Sequence, residues 1–197
     1  MRLIAITGGI GSGKSVVSRL VKVMGYEVYD CDSRARSLMI EDSMVRQQLI
    51  EAFGKETYLD DGSLNRAHLS ATAFSNPAAL TRLNAIVHPA TATDLLSWAD
   101  EQAEAGASIA FVETALLRTA GLDRVVDEVW HVTAPDPVRI DRVIARSGLT
   151  ADQVRERMAA QRDEEVLHDD EQILVNDNAT ALLPQVIEHL SNECGCR

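Results

Sequence analysis

Residues Gly8-Gly9-Ile10-Gly11-Ser12-Gly13-Lys14-Ser15 fit the pattern G-x-x-x-x-G-K-[ST], and they lie between a short apolar run, Leu3 to Thr7, and an amphipathic stretch that opens at Lys14. A strand, a glycine-rich loop and a helix in that order form a cradle for phosphate. Glycines let successive backbone N–H groups turn inward around an anion, and the helix N-terminus adds the positive end of its dipole. Lys14 supplies a point charge for the β- and γ-phosphates, and Ser15 a hydroxyl ligand for Mg²⁺. The expected nucleotide contacts are Gly9, Ile10, Gly11, Ser12, Gly13, Lys14, Ser15 and Val16, with a nucleoside triphosphate and Mg²⁺ as the bound species.

Around this loop, apolar runs and amphipathic stretches alternate, the pattern of an α/β fold with a mainly parallel sheet. Five strands are expected: Leu3 to Thr7, Glu27 to Asp30, Ile109 to Glu113, Glu128 to Thr133 and Ile173 to Asn176. The first helix runs from Lys14 to Met24, stopped by Gly25. Asn76 caps a helix over Pro77 to Val87, and Pro89 opens a second that ends before Ala105-Gly106. Further helices are expected over Pro137 to Arg146, Ala151 to Leu167 and Ala181 to Leu190, with Thr150 and Gln153 forming a capping box. His88-Pro89 would then be a joint between two helices. The stretch from Asp32 to His88 holds no convincing strand and reads as a helical lobe inserted between the second and third strands. Together these define an α/β, three-layer P-loop NTPase fold in a single domain. Its core would be 1–31, 105–138 and 169–197, with a helical acceptor-binding insert over about 32–104 and a lid over about 139–168.

Composition narrows the partners. With 19 Lys+Arg against 30 Asp+Glu the net charge is −11, which argues against a nucleic-acid partner. Three cysteines at no framework spacing point to a reducing compartment, and Cys194-Gly195-Cys196 reads as a tail. No window approaches the ~20 apolar residues of a membrane span, and the apolar start is too short for a signal peptide, so the expected location is cytoplasmic. The histidines show no metal-ligand spacing, and Trp98 and Trp130 read as core residues.

The kind of NTPase is constrained by what else is in the chain. There is no N-K-x-D base-reading motif, because Asn176-Asp177-Asn178 lacks the lysine, and the third strand ends in a single Glu113 rather than an Asp-Glu pair. Glu113 has two readings, orienting a metal-bound water or serving structure. The second strand ends Tyr29-Asp30-Cys31-Asp32, and the carboxyl ends of parallel strands open on one crevice. Asp32 can therefore accept a proton from an attacking hydroxyl, or it can cap the helix that starts at Ser33; Asp30 is the alternative base. Arg139, Arg142 and Arg146 share one helical face, where they either neutralise a transferring phosphoryl or form a solvated, salt-bridged surface.

The ordered set Thr7 to Ser15, Asp30-Cys31-Asp32, Ala35-Arg36, Phe53-Gly54, Asp61-Gly62, Asn65-Arg66, Leu83 through Ile86 to His88-Pro89, then Arg142, Arg146, Gln161 and Asn176, resembles the dephospho-CoA kinase family over nearly the whole chain. The resemblance implies phosphorylation of the ribose 3′-hydroxyl of dephospho-CoA by MgATP, with Asp32 as catalytic base and Lys14, Arg142 and Arg146 as catalytic cations. It places acceptor binding on Asp32, Arg36 and His88, and the fold is similar to that of the nucleoside-monophosphate kinases. Three positions depart from the pattern. Thr114-Ala115-Leu116-Leu117-Arg118-Thr119 has Ala115 for a common Pro and Thr119 for a common Glu, and Arg34 stands where an apolar residue is usual, on what reads as an exposed turn. Two other functions fit the loop: a kinase for another small acceptor such as a nucleoside, nucleotide or shikimate, and an ATP-binding switch without chemistry. The expected state is a monomer or weak homo-oligomer.

Overall fold

A computed structural model describes residues 1–73 and 76–193. The chain runs β1 (Arg2–Thr7), α1 (Lys14–Val23), β2 (Glu27–Asp30), α2 (Cys31–Glu41), α3 (Ser43–Phe53), α4 (Arg66–Ala73), α5 (Pro77–Glu104), β3 (Ile109–Glu113), β4 (Glu128–Thr133), α6 (Asp136–Ser147), α7 (Ala151–Ala160), β5 (Gln172–Val175) and α8 (Leu182–Glu193). Cys194 and Cys196 lie outside the described residues. The strands form one five-stranded parallel sheet in the order β2-β3-β1-β4-β5. Chain contacts divide the molecule into two compact units, one of Met1–Tyr29 with the residues from Ala99 onward and the other of Asp30–Trp98.

In the first unit the strands are continuous apolar runs because both faces of the sheet are covered. On one face Ile4 lies beside Phe111, Ile6 beside Trp130 and Val132 beside Leu174. Val17 and Val21 of α1 and Val186 and Leu190 of α8 pack on these residues. The rings of Tyr26 and Phe111 meet edge to face at 5.6 Å, and those of Phe111 and Trp130 at 5.1 Å. Trp130 is fully buried, as its reading as a core residue requires, and its indole N–H donates to Glu128 Oε1 at 2.8 Å. The other face carries Leu3, Ala5, Ala110 and Val112.

The second unit is built of helices, and its core gathers Met39, Val45, Leu49, Leu69, Ala73, Leu83 and Val87. Asp42 caps α3 by accepting from the amides of Met44 and Val45. Tyr58 closes over this core, its hydroxyl donating to Met39 O at 2.6 Å while the Arg46 guanidinium stacks 4.0 Å above its ring.

Three expectations about helices are corrected. Pro89 does not separate two helices: α5 continues through it for 28 residues. An internal proline forfeits a hydrogen bond and costs about 3 kcal/mol. Here Leu83, Val87, Thr91 and Leu95 are all buried at intervals of four, so one stripe runs past Pro89 without losing phase, and burial outweighs the local loss. The helix expected over Ala151 to Leu167 ends at Ala160 and tightens into a 3₁₀ turn, Arg162–Glu165. Only Val154 of α7 is buried, so no apolar stripe carries the helix further. Arg34 is more than an exposed turn residue, for its guanidinium makes a two-pronged pair with Asp94 of α5, both bonds at 2.8 Å.

Phe111 sits at the centre of the aromatic row, so Phe111→Ala should destabilise the chain by about 3–5 kcal/mol. A urea midpoint that falls with an unchanged slope is the expected outcome.

Candidate active site

β1 ends at the buried Thr7, and the chain leaves the sheet as Gly8 to Gly13. Gly8, Gly11 and Gly13 adopt φ of 138°, 80° and 103°, the region glycine enters without penalty. The space around them is as restrictive as the backbone. A Cβ on Gly8 would lie 2.3 Å from Val132 O, and one on Gly13 would lie 2.0 Å from Asn176 Nδ2. Gly13 caps α1 without a side chain of its own, and the first amides of the helix have no intrahelical acceptor. The loop thus has the backbone shape that its glycine spacing leads one to expect.

The outer surface of the loop is braced by side chains. Lys14 Nζ donates to Gly8 O at 2.7 Å and to Gly9 O at 3.4 Å. Arg139, buried on α6, donates through Nε to Ile10 O at 2.9 Å and forms a bidentate pair with Glu165 at 2.8 and 2.5 Å. Gln161 Oε1 accepts from Ile10 N–H at 2.8 Å. Arg142 Nη1 reaches Gly11 O and Ser12 O at 3.3 and 3.2 Å, while its Nη2 donates to Asn176 and to Asn178 Oδ1. Asn176 Nδ2 adds a bond of 2.8 Å to Ser12 O. Arg146, one turn beyond Arg142, is exposed and makes no ion pair or hydrogen bond among the described residues. Ser15 is exposed in the first turn of α1. It offers one hydroxyl, which suits a Mg²⁺ held mainly by phosphate oxygens and water.

The second unit carries the remaining expected site residues. Asp30 caps α2: its carboxylate accepts from the Ser33 amide at 3.1 Å and the Ser33 hydroxyl at 2.7 Å. Asp32 lies in the first turn of the same helix, exposed, and makes no hydrogen bond or ion pair among the described residues. The structural alternative for Asp32, a helix cap, thus falls to Asp30. Arg36 is exposed, with Nη2 3.3 Å from Ser33 Oγ, and His88 is partly buried within α5.

Sequence reasoning missed Glu165 and the bracing role of Arg139. An acid 26 residues downstream of Arg139, inside the run Asp163-Glu164-Glu165, gives no local signal of its partner. A second cluster joins the loop after β3 to β4 and to the residue before β5. Glu171 accepts from Arg118 and pairs with His131 Nδ1 at 3.1 Å. Burial holds His131 below its ordinary 6.5, against the opposing pull of Glu171.

A glycine-rich loop between β1 and α1 at the head of a five-stranded parallel sheet, with an arginine-bearing helix against it, is the architecture of the P-loop kinases. The comparisons agree. The CoaE dephospho-CoA kinase family model matches residues 2–181. A dephospho-CoA kinase of Porphyromonas gingivalis is 38% identical over 189 residues, spanning 95% of this chain and 92% of that protein. Among solved structures, TT1252 from Thermus thermophilus superposes with a TM-score of 0.80 at 30% identity, covering 98% of this chain and 97% of that one. A dephospho-CoA kinase from Campylobacter jejuni shares the fold at a TM-score of 0.72 and 21% identity, covering 98% of each. The chain belongs to the dephospho-CoA kinase family and is an ATP-dependent phosphotransferase. Among the described residues no helix is long and apolar enough to cross a membrane.

The His131 shift has a stability consequence. Its folded value lies below the unfolded one, so the unfolded chain binds the extra proton, and stability rises with pH across that interval. The contribution is complete above about pH 6.5 and is lost as pH falls towards the depressed folded value. His131→Gln should therefore flatten the fall in melting temperature between pH 7.5 and 5.5 relative to the unmodified chain.

Proposed function

We propose that this chain transfers the γ-phosphoryl group of ATP to the ribose 3′-hydroxyl of dephospho-CoA, giving coenzyme A and ADP. The observation that carries the residue assignment is the division of labour between two neighbouring aspartates. Asp30 is committed to its helix cap, and Asp32, two residues on, has both oxygens uncommitted among the described residues.

The backbone N–H groups of Gly11 to Ser15 hold the phosphates. Ile10 and Val16 flank them, and Gly9 enters through the turn that precedes them. Ser15 would hold a Mg²⁺ on the nucleotide, where the ion would supply charge neutralisation. Lys14 moves from the loop carbonyls towards the β- and γ-phosphates, and Arg142 holds a fixed charge against the outside of the loop. Arg146 is the cation with freedom to approach, on a helical lid spanning about 139–168. The acceptor is held by the helical insert, about 32–104, with Arg36 and His88 among its contacts. Asp32 receives the proton of the attacking hydroxyl as its oxygen bonds to phosphorus. The bond from phosphorus to the bridging oxygen breaks with its electron pair leaving on ADP. The same reading takes the chain as a monomer or weak homo-oligomer in the cytoplasm, the compartment being supported by its cysteine usage.

Steady-state transfer from ATP to dephospho-CoA, set beside a nucleoside, a nucleotide and shikimate, tests the acceptor. Transfer to one of these alternatives and none to dephospho-CoA would overturn the reading. Asp32→Asn should lower kcat by about 10²- to 10⁴-fold while ATP affinity stays within about twofold. Near-full activity would remove Asp32 from the mechanism. Asp30→Asn should be nearly silent, since asparagine caps a helix as well as aspartate does, whereas Lys14→Ala should reduce turnover sharply.

A further inference from the structure

Residues 161–165, between α7 and β5, bind two loops at once. Towards the phosphate loop, Gln161 takes the Ile10 amide, and Glu165 holds Arg139, which takes the Ile10 carbonyl. The Arg139–Glu165 pair lies so near the loop that a Cβ on Gly9 would fall 1.9 Å from Glu165 Oε1 and 2.1 Å from Arg139 Nη2. Towards the loop that follows β3, Glu164 turns the other way. Its carboxylate accepts from the amides of Thr119 and Arg118 at 2.7 and 3.0 Å, and its own carbonyl accepts from Arg118 Nη1 at 3.2 Å. Glu164 is buried, so these amides are its replacement for water, and releasing them would leave a desolvated carboxylate. The 3₁₀ turn keeps the segment short, with the Glu164 amide donating to Gln161 O at 3.0 Å, so that a displacement at one end is passed to the other.

We infer that Gln161, Glu164 and Glu165 are positioning residues, a strap through which occupancy of the phosphate loop sets the order of the loop after β3 at Arg118 and Thr119. Ile10 is the one loop residue whose N–H and C=O are both held by side chains, and both holders are tied to this segment. Filling the cradle fixes Ile10, Ile10 fixes Gln161 and Arg139, and the strap fixes Glu164 against the two amides. Coupling of this kind is reciprocal, so loosening the Arg118–Thr119 end must weaken ATP at the other. The inference rests on the reading that the loop binds ATP, and on no assumption about the acceptor.

The test is amide exchange resolved at Arg118 and Thr119, with and without a non-hydrolysable ATP analogue and Mg²⁺, in the absence of acceptor. In the unmodified chain the analogue should slow exchange at both amides by about 5-fold or more, and in Gln161→Ala that slowing should fall below about twofold. A merely structural Gln161 would change exchange equally with and without nucleotide, and that result, or no response in the unmodified chain, overturns the strap. If Gln161→Ala does not fold, Glu164→Gln gives the measurement from the other end: its dissociation constant for the analogue should rise by about 5-fold or more, and an unchanged constant overturns the inference. An unmodified chain that shows the exchange response yet transfers nothing to dephospho-CoA would sink the assigned reaction and leave the strap standing.

Discussion

A loop that turns its N–H groups inward to hold phosphate turns its C=O groups outward, and each of those carbonyls needs a donor. The five consecutive carbonyls from Gly8 to Ser12 all find one in a side chain. Lys14 serves Gly8 and Gly9, Arg139 serves Ile10, Arg142 serves Gly11 and Ser12, and Asn176 adds a second bond to Ser12. Much of the surrounding architecture follows from that requirement. α6 must lie against the loop to deliver its two arginines, and the turn after β5 must return to deliver Asn176, whose own amide is held by Thr133 O at 2.8 Å. The loop is thus braced through its carbonyls by side chains from α1, α6 and the turn after β5.

The same arrangement answers how a chain of net charge −11 attracts a triphosphate. The field at the site is set by local charges more than by the sum. Arg139 is neutralised by Glu165 and works as a brace. Arg142 is held by carbonyl and amide oxygens, and among the described residues it pairs with no carboxylate, so no acid cancels its charge. Asn178 illustrates the cost of arranging this. It sits at φ 70°, in a turn stabilised by Asp177, whose carboxylate accepts from the Thr180 and Ala179 amides and is held below the usual carboxylate range by them. Neutral amide partners orient the guanidinium without cancelling it.

How much of this could be read from the sequence depends on the range of the interaction. The strands were legible because burial on both faces makes each a short apolar run, and the phosphate loop because its glycines, Lys14 and Ser15 are adjacent in the chain. Pro89 misled because the local rule for proline was applied without the four-residue stripe of Leu83, Val87, Thr91 and Leu95, which was present in the sequence and outweighs it. The braces were a different matter. Arg139 with Glu165, Gln161 with Ile10 and Glu164 with Arg118 join residues 26 to 151 positions apart. Within Asp163-Glu164-Glu165 nothing local separates a carboxylate facing water from one that satisfies buried amides. Arg34 was opaque for the same reason, its partner Asp94 lying 60 residues away.

The acidic excess itself then divides into two kinds of carboxylate. Asp30, Asp42, Asp94, Asp127, Glu164, Glu165 and Glu171 each accept from identifiable donors: helix-cap amides, the Leu3 amide at 2.7 Å for Asp127, guanidinium groups and buried loop amides. A carboxylate so committed is an acceptor in a filled set, and the structure around it depends on it. A proton acceptor in a reaction cycle must change state at every turnover, so it belongs on an element that does not depend on its charge. Asp32 meets that condition because Asp30 has already capped its helix. The Asp-Cys-Asp order at the end of β2 therefore separates a carboxylate that builds the turn from one that the fold leaves uncommitted among the described residues.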